Sequence, residues 1–310
     1  MDYLDFTDCQ LSYLQYGGAA GRKLGVIYDG SPWLLKFHDS LKSRDLRNVE
    51  ESYGNNPLSE HIGSYVFRML GIPVHQTLMG KYRDKIVVAC KDFTTSYNRL
   101  VEFREFKVSY QTEFTDYNGA GTNGTSLEIS EALDCIQNHP VLRSLDGVER
   151  RFWSMFIVDA LNGNPDRNNG NWGCLLDRSI MRYTLAPVYD NGNCLYFRFS
   201  TRQIEDAMGS EMRMQQLAVN GVVSRFVNHD HKINPFIYIR DNLTINSFLF
   251  ETLREICSNL KFEQISSFLD ETVDCAIRRS FYKELYLRRF YNLSCLLHVT
   301  GSVINKLELH

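Results

Sequence analysis

Between residues 145 and 161, apolar side chains fall on every side of a helix. Leu145, Val148, Phe152 and Phe156 lie on one side and Trp153, Ile157 and Leu161 on another. A helix without a polar face cannot lie on a surface, so the chain must wrap a core around it. Its 310 residues suffice for that, as one large domain or two lobes. The next segment is opposite in character. Gly163 stops the helix, and Asn164-Pro165-Asp166-Arg167-Asn168-Asn169-Gly170-Asn171 reads as a polar loop that Trp172 anchors in the core. Short strands at 173–176 and 183–188 then lead to Tyr189-Asp190-Asn191-Gly192.

The N-terminal part follows different periods. Residues 16–21, Tyr-Gly-Gly-Ala-Ala-Gly, form a flexible break before an apolar strand at 24–28. Asp29-Gly30 signals a hairpin, because both positions tolerate positive φ. The returning strand, 32–37, alternates Trp33, Leu35 and Phe37 with Leu34 and Lys36. Residues 38–55 read as a polar loop. Asn56 as N-cap, Pro57 at the first helical position and Gly71 as the stop frame a helix over 57–70, with Leu58, Ile62, Val66 and Met69 as its buried stripe. Strands are expected at 74–79 and 85–90. Residues 107–126, rich in Gly, Asn, Thr and Tyr, read as an exposed loop, and amphipathic helices are expected at 247–260, 262–277 and 281–297. These elements predict an α+β, bilobed molecule. Residues 1–93 make a small, mainly antiparallel β lobe with one helix, and residues 94–310 a larger, mainly helical lobe.

Charge and cysteine content narrow the function. A net charge of −3 and a pI near 6.3 give no overall pull toward nucleic acid or acidic membrane. No stretch approaches the ~18 apolar residues of a spanning helix, and residues 1–10 lack the basic start and apolar run of a secretory signal. The eight cysteines are scattered without C-x-x-C pairs, which fits a reducing cytosol. Cytoplasmic residence in a bacterium is therefore expected, with export by a signal-independent route left open.

Phosphoryl transfer explains the polar loop. The reaction needs a carboxylate to orient and deprotonate the attacking hydroxyl, and oxygen ligands that hold magnesium against the phosphates of ATP. Asp166 supplies the base, Asn171 five residues later supplies one ligand, and Asp190 supplies the second. Singly, each has a structural use, since Asp and Asn cap and turn loops and Asp166-Arg167 could be a surface ion pair. Order and spacing together point to catalysis. In the N-terminal half, Gly17, Gly18, Ala19, Ala20 and Gly21 let backbone amides approach phosphates. Lys36 is a lone cation on an apolar strand, suited to the α- and β-phosphates, although edge strands also use Lys against aggregation. Glu60, in the first turns of the helix, is its candidate partner; otherwise it is a favourable helix-dipole charge. Cys90 and Asp92 stand where sheet gives way to helices, placed for adenine and ribose or for a plain linker.

These residues resemble the HipA-like serine/threonine kinases, and among them the bacterial CtkA-type kinases. The likeness rests on Leu58-Ser59-Glu60-His61-Ile62-Gly63 with Leu70-Gly71-Ile72-Pro73-Val74, on the run from Lys85 to Thr95, and on the loop Gly163 to Gly173 with Ala186-Pro187-Val188-Tyr189-Asp190. It implies a kinase fold with ATP and Mg2+ between the lobes and a protein Ser or Thr as acceptor. Asp166 is then the base, Asn171 and Asp190 the metal ligands, and Lys36 the phosphate-contacting lysine. The resemblance also implies autophosphorylation in or near the Gly-rich loop, yet residues 16–23 hold no Ser or Thr and the nearest is Ser12. Asn168 stands where a His often follows Asp-Arg. An antitoxin-like or host protein is an expected partner; nucleic acid and membrane are not.

Two rival readings share parts of this pattern. Lipid kinases of the phosphatidylinositol type and small-molecule kinases use similar loops, but a lipid kinase should carry a basic or apolar membrane-facing patch, and none stands out. A nucleotide-binding pseudokinase would have lost Lys36, Asp166 or Asp190, and all three are present.

Overall fold

The computed structural model describes residues 3–12, 23–38, 56–113 and 126–307. The smaller lobe is a six-stranded sheet of β1 (Leu4–Asp5), β2 (Gln10–Leu11), β3 (Lys23–Tyr28), β4 (Ser31–Phe37), β5 (Thr77–Tyr82) and β6 (Lys85–Lys91), ordered β1-β5-β6-β4-β3-β2. Every pairing is antiparallel except that of β1 with β5. Asp29 and Gly30, with φ of 48° and 66°, close the β3–β4 hairpin across Tyr28 and Ser31. That is the two-residue turn the Asp-Gly pair demands.

Period-two alternation on β4 sorts the lobe into two faces. Trp33, Leu35 and Phe37 bury with Phe6, Val26, Val87 and Ala89 on one face. Lys36 and Leu34 lie on the other, opposite Val88 and Cys90 of β6. Across that second face runs α1 (Asn56–Met69), which ends at Gly71 in the left-handed region, with Ile72 N–H returning to Phe67 O. The apolar stripe of α1 nevertheless belongs to the other lobe: Ile62, Val66, Phe67 and Leu70 join the large helical core. The helix is thus bolted to the larger lobe while presenting Glu60 to the sheet. The strand expected at 74–79 begins instead at Thr77. Residues 73–75 are taken by Val188, whose N–H donates to Pro73 O at 2.8 Å and whose carbonyl accepts from His75 N–H at 2.9 Å.

The larger lobe opens with β7 (Asn98–Glu102), α2 (Phe103–Glu113) and α3 (Ile129–Asn138), and α4 (Val148–Asn162) runs through its centre. The loop reading of residues 107–126 is corrected here. Phe103, Phe106 and Tyr110 carry a helical period through α2, and Lys107 is buried, donating to Ser126 O at 2.9 Å and to Glu131 Oε2 at 2.8 Å. The polar composition of the segment concealed that stripe; residues 114–125 lie outside the described residues. β8 (Gly173–Asp177) pairs with β7 on one side and with β9 (Arg182–Leu185) on the other, in a three-stranded antiparallel sheet.

Then follow α5 (Thr201–Met208), α6 (Glu211–Gln215), a π turn (Gln216–Asn220), the hairpin of β10 (Val227–Asn228) and β11 (His231–Lys232), α7 (Pro235–Asn242), α8 (Ser247–Asn259), α9 (Phe262–Thr272) and α10 (Ala276–Leu307). The helix expected over 262–277 breaks after Thr272, because Val273 turns extended and buries. As its sequence requires, α4 is enclosed: Phe152, Trp153, Ile157 and Leu161 all lie in one core with residues of α1, α7, α8 and α10. No helix among the described residues is long and apolar enough to cross a membrane.

Candidate active site

Strand, helix and loop meet at Lys36. Its Nζ lies 2.8 Å from Glu60 Oε2 on α1 and 2.9 Å from Asp190 Oδ1 after β9. Burial alone would lower the lysine's pKa, but Asp190 and Glu60 more than offset it and hold Lys36 well above its usual value. Glu60 is almost fully buried, which by itself favours the neutral acid; Lys36 and His75 overcome that and keep it ionised. Its second oxygen, Oε1, accepts the Asn191 N–H at 2.8 Å and lies 3.0 Å from His75 Nε2. Gly192 permits this approach, since a Cβ there would collide with Glu60 Oε2 and Asn56 Oδ1. Asp190 sits at φ 60°, in the left-handed region that Asp tolerates better than most residues, and Lys36 holds its carboxyl below the usual range.

The loop that carries Asp166 is built by other means. α4 ends on Gly163 at φ 65°, where the Arg289 guanidinium occupies the space a side chain would fill. Arg289, on α10, is fully buried and donates to Leu161 O at 3.2 Å and Ala218 O at 3.0 Å, capping the end of α4 with positive charge. Three residues past Gly163, Asp166 donates its N–H to Asn164 Oδ1 at 3.0 Å. Its carbonyl accepts from Asn168 Nδ2 at 3.0 Å and Asn171 Nδ2 at 3.1 Å, and its carboxylate Oδ2 accepts from Asn193 Nδ2 at 2.5 Å. Spending Nδ2 on that carbonyl points the Asn171 amide oxygen the opposite way.

Arg167 is no surface ion pair. It is 2% exposed. It grips Asp159 of α4 through Nε at 2.7 Å and Nη2 at 3.1 Å, and reaches Tyr189 O and Asn191 Oδ1, both at 2.6 Å. One side chain thus fastens the buried helix, the loop and the segment carrying Asp190. Trp172 stacks on Phe103 at 4.2 Å in the core and ends the loop.

Of the residues singled out in the sequence, Lys36, Glu60 and Asp190 are in direct contact, and Asp166 and Asn171 share one loop beside them. Cys90 pairs with Leu34 and Thr77 in central strand β6, so the sheet takes its backbone. Asp92 folds back on Thr94, accepting its N–H and its hydroxyl at 2.7 Å each. Gly17, Gly18, Ala19, Ala20 and Gly21 lie outside the described residues. Five residues of the site were missed: Asp159, His75, Asn191, Asn193 and Arg289. Asp159 had a signal, as an acid among the apolar residues of α4. Arg289 had none, because its target lies 128 residues away.

The arrangement can hold a polyphosphate near Lys36, offer oxygen ligands from Asn171 and Asp190, and bring a carboxylate to a hydroxyl. The chain is 32% identical over 279 residues to the serine/threonine-protein kinase CtkA of Helicobacter pylori, spanning 88% of this chain and 80% of that protein. Its fold matches the crystal structure of a Helicobacter pylori proinflammatory kinase CtkA with a TM-score of 0.83 and 28% identity, over 96% of this chain and 98% of that one. HipA from a Shewanella oneidensis MR-1 toxin–antitoxin complex shares the fold at a TM-score of 0.52 and 13% identity, over 92% of this chain and 65% of that one. No protein-family model matches the chain.

Proposed function

This chain belongs to the CtkA-type serine/threonine-protein kinases, and from that premise we propose how its cleft moves the γ-phosphoryl group of ATP to a protein hydroxyl. Lys36, held between Glu60 and Asp190, faces the α- and β-phosphates. Asp166 accepts the proton of the Ser or Thr hydroxyl as that oxygen bonds to the γ-phosphorus. The bond from phosphorus to the β–γ bridging oxygen breaks, and ADP leaves with the electron pair. Asn193 and the Asn164–Asn168–Asn171 set keep the base in place. Asn171 and Asp190, an all-oxygen pair, suit a hard divalent cation. Held by these two residues, Mg2+ would neutralise phosphate charge. The observation that carries this reading is Lys36 Nζ at 2.8 Å from Glu60 and 2.9 Å from Asp190, drawn from a strand, a helix and a loop distant in sequence.

Residues 1–93 serve as the nucleotide-covering lobe and 94–310 as the lobe that carries the base. The Gly-rich sequence of residues 17–21 suits phosphate contact, and Asp92 is assigned to the ribose and Cys90 to the floor beside Lys36. The acceptor is a protein, autophosphorylation included, and an antitoxin-like or host protein is its partner class; the enzyme works in a bacterial cytoplasm or after signal-independent export. The test is incubation with radiolabelled ATP and magnesium, alone and with myelin basic protein, beside D166A. Label on Ser or Thr that D166A lacks is expected. Full labelling by D166A overturns the base. Tight ATP binding without protein label redirects the assignment to lipid or small-molecule acceptors, and then to a pseudokinase.

A further inference from the structure

We propose that His75 is a positioning residue of this kinase, holding Glu60 so that one carboxylate oxygen stays presented to Lys36. The proposal rests on the assignment of Lys36 and Glu60 made above. His75 is 6% exposed and lies between α1 and β5. Its Nε2 is 3.0 Å from Glu60 Oε1 and 3.1 Å from Ser64 Oγ. An ionised carboxylate can only accept, so Nε2 carries the proton and donates. Ser64 Oγ in turn accepts the Asn191 amide at 3.0 Å. The ring is therefore tied to the same carboxylate oxygen, and through Ser64 to the same Asn191, that link α1 to the segment carrying Asp190.

The backbone of His75 closes the circuit. Its N–H donates to Val188 O at 2.9 Å, two residues before Asp190. Contacts thus run from Asp190 to Lys36, to Glu60, to His75, and back through Val188 along the chain to Asp190. A loop of contacts fixes the carboxylate's orientation in a way that a single lysine–glutamate pair cannot, because rotation of Glu60 breaks bonds at both of its oxygens.

A metal-site reading of the same residues is weaker. Glu60, His75 and Cys90 place three donor atoms within 4.8 Å of one another. Both Glu60 oxygens, however, are already engaged by Lys36, His75 and Asn191, and burial holds the Cys90 thiol protonated. Glu60 and His75 are instead bound to each other.

The side-chain chemistry supplies the test. Gln carries its Nε2 donor the same number of bonds from Cα as His carries Nε2; the Asn amide stops one bond short; Leu fills the space without donating. H75L and H75N are expected to lower kcat/KM for ATP by about 10- to 100-fold, the scale of a misplaced catalytic group. H75Q is expected to restore most of it. In an E60Q background, H75L should cost less than threefold more, since the group it positions is already disabled. If H75L fails to fold, the contrast of H75Q with H75N carries the test. Wild-type kcat/KM in H75L and H75N, with K36A and E60Q both impaired, overturns the role of His75 and leaves the kinase assignment standing. Equal loss in H75Q, H75N and H75L reduces His75 to packing and also overturns the proposal. Wild-type activity in K36A and E60Q removes the reading on which it rests.

Discussion

The two sides of the cleft are assembled from different materials. On the phosphate side, Lys36, Glu60, Asp190 and His75 form a closed set of charged and ionisable groups fed by a strand, a helix and a loop. On the side proposed to hold the base, Asp166 is hydrogen-bonded to neutral carboxamides, and the adjacent cation, Arg167, is spent on Asp159 and backbone carbonyls. The difference follows the chemistry. Polyphosphate and metal are charged, so the groups that hold them must be charged and oriented. A general base must instead stay available for a proton, and a cation in contact would make its carboxylate a poorer acceptor. Neutral amides fix its position, with no cation hydrogen-bonded to its carboxylate among the described residues.

Each side can be broken separately. The largest effect is expected at the base: D166A should lower kcat by on the order of 10²- to 10⁴-fold while the thermal midpoint stays near wild type, read by steady-state kinetics and calorimetry together. Next comes the fastening of the base side. R167M strands the buried Asp159 carboxylate, and denaturant titration should show a loss of about 3–5 kcal/mol.

Acid should strike the phosphate side through its helix. Burial, with Arg68 close by, takes His61 on α1 from its usual 6.5 to about 4. The ring lies against Phe268, with Nδ1 2.9 Å from Thr77 Oγ1. Between those values the unfolded chain binds the extra proton, so stability is fully present above pH 6.5 and falls as pH drops toward 4. The contribution is about 3 kcal/mol at most, and H61N should flatten the stability curve over that window. The smallest effect sharpens the contrast. N193A removes one hydrogen bond to the base and should lower kcat about tenfold, the scale of ~1.5 kcal/mol for a bond to a charged group. KM for ATP should stay unchanged, because the phosphate side is untouched.

Much of this was legible because it is local. The Asp29-Gly30 turn, the alternation on β4, the frame of α1 and the enclosure of α4 are periods and caps, and each reappears within a few residues of its expected place. Asp166 and Asn171 stood out by spacing, Asp190 by its place after a strand pair, and Lys36 by being out of character on its strand; the fold brings Lys36 and Asp190 into contact and sets Asp166 and Asn171 on one loop. What escaped was pairwise and distant. Whether Arg167 is a surface charge or a buried clamp depends on Asp159, which only a folded α4 brings to it. His75 gains its meaning from Glu60 and Val188 at once. The helix at Phe103–Glu113 was hidden by a polar composition that describes its exposed face.

Arg289 gives the molecule a clock. Its guanidinium fills the space over Gly163 and caps the helix that delivers the catalytic loop, yet it lies 128 residues beyond Leu161 in the chain. At a synthesis rate of ~5–20 residues per second, roughly 6–26 s separate the two on the ribosome. During that interval Asp166 is already made, but Leu161 O and the space over Gly163 still lack the side chain that occupies them in the folded protein. The chain that carries Asp166 therefore leaves the ribosome well before the residue that packs over the end of its helix.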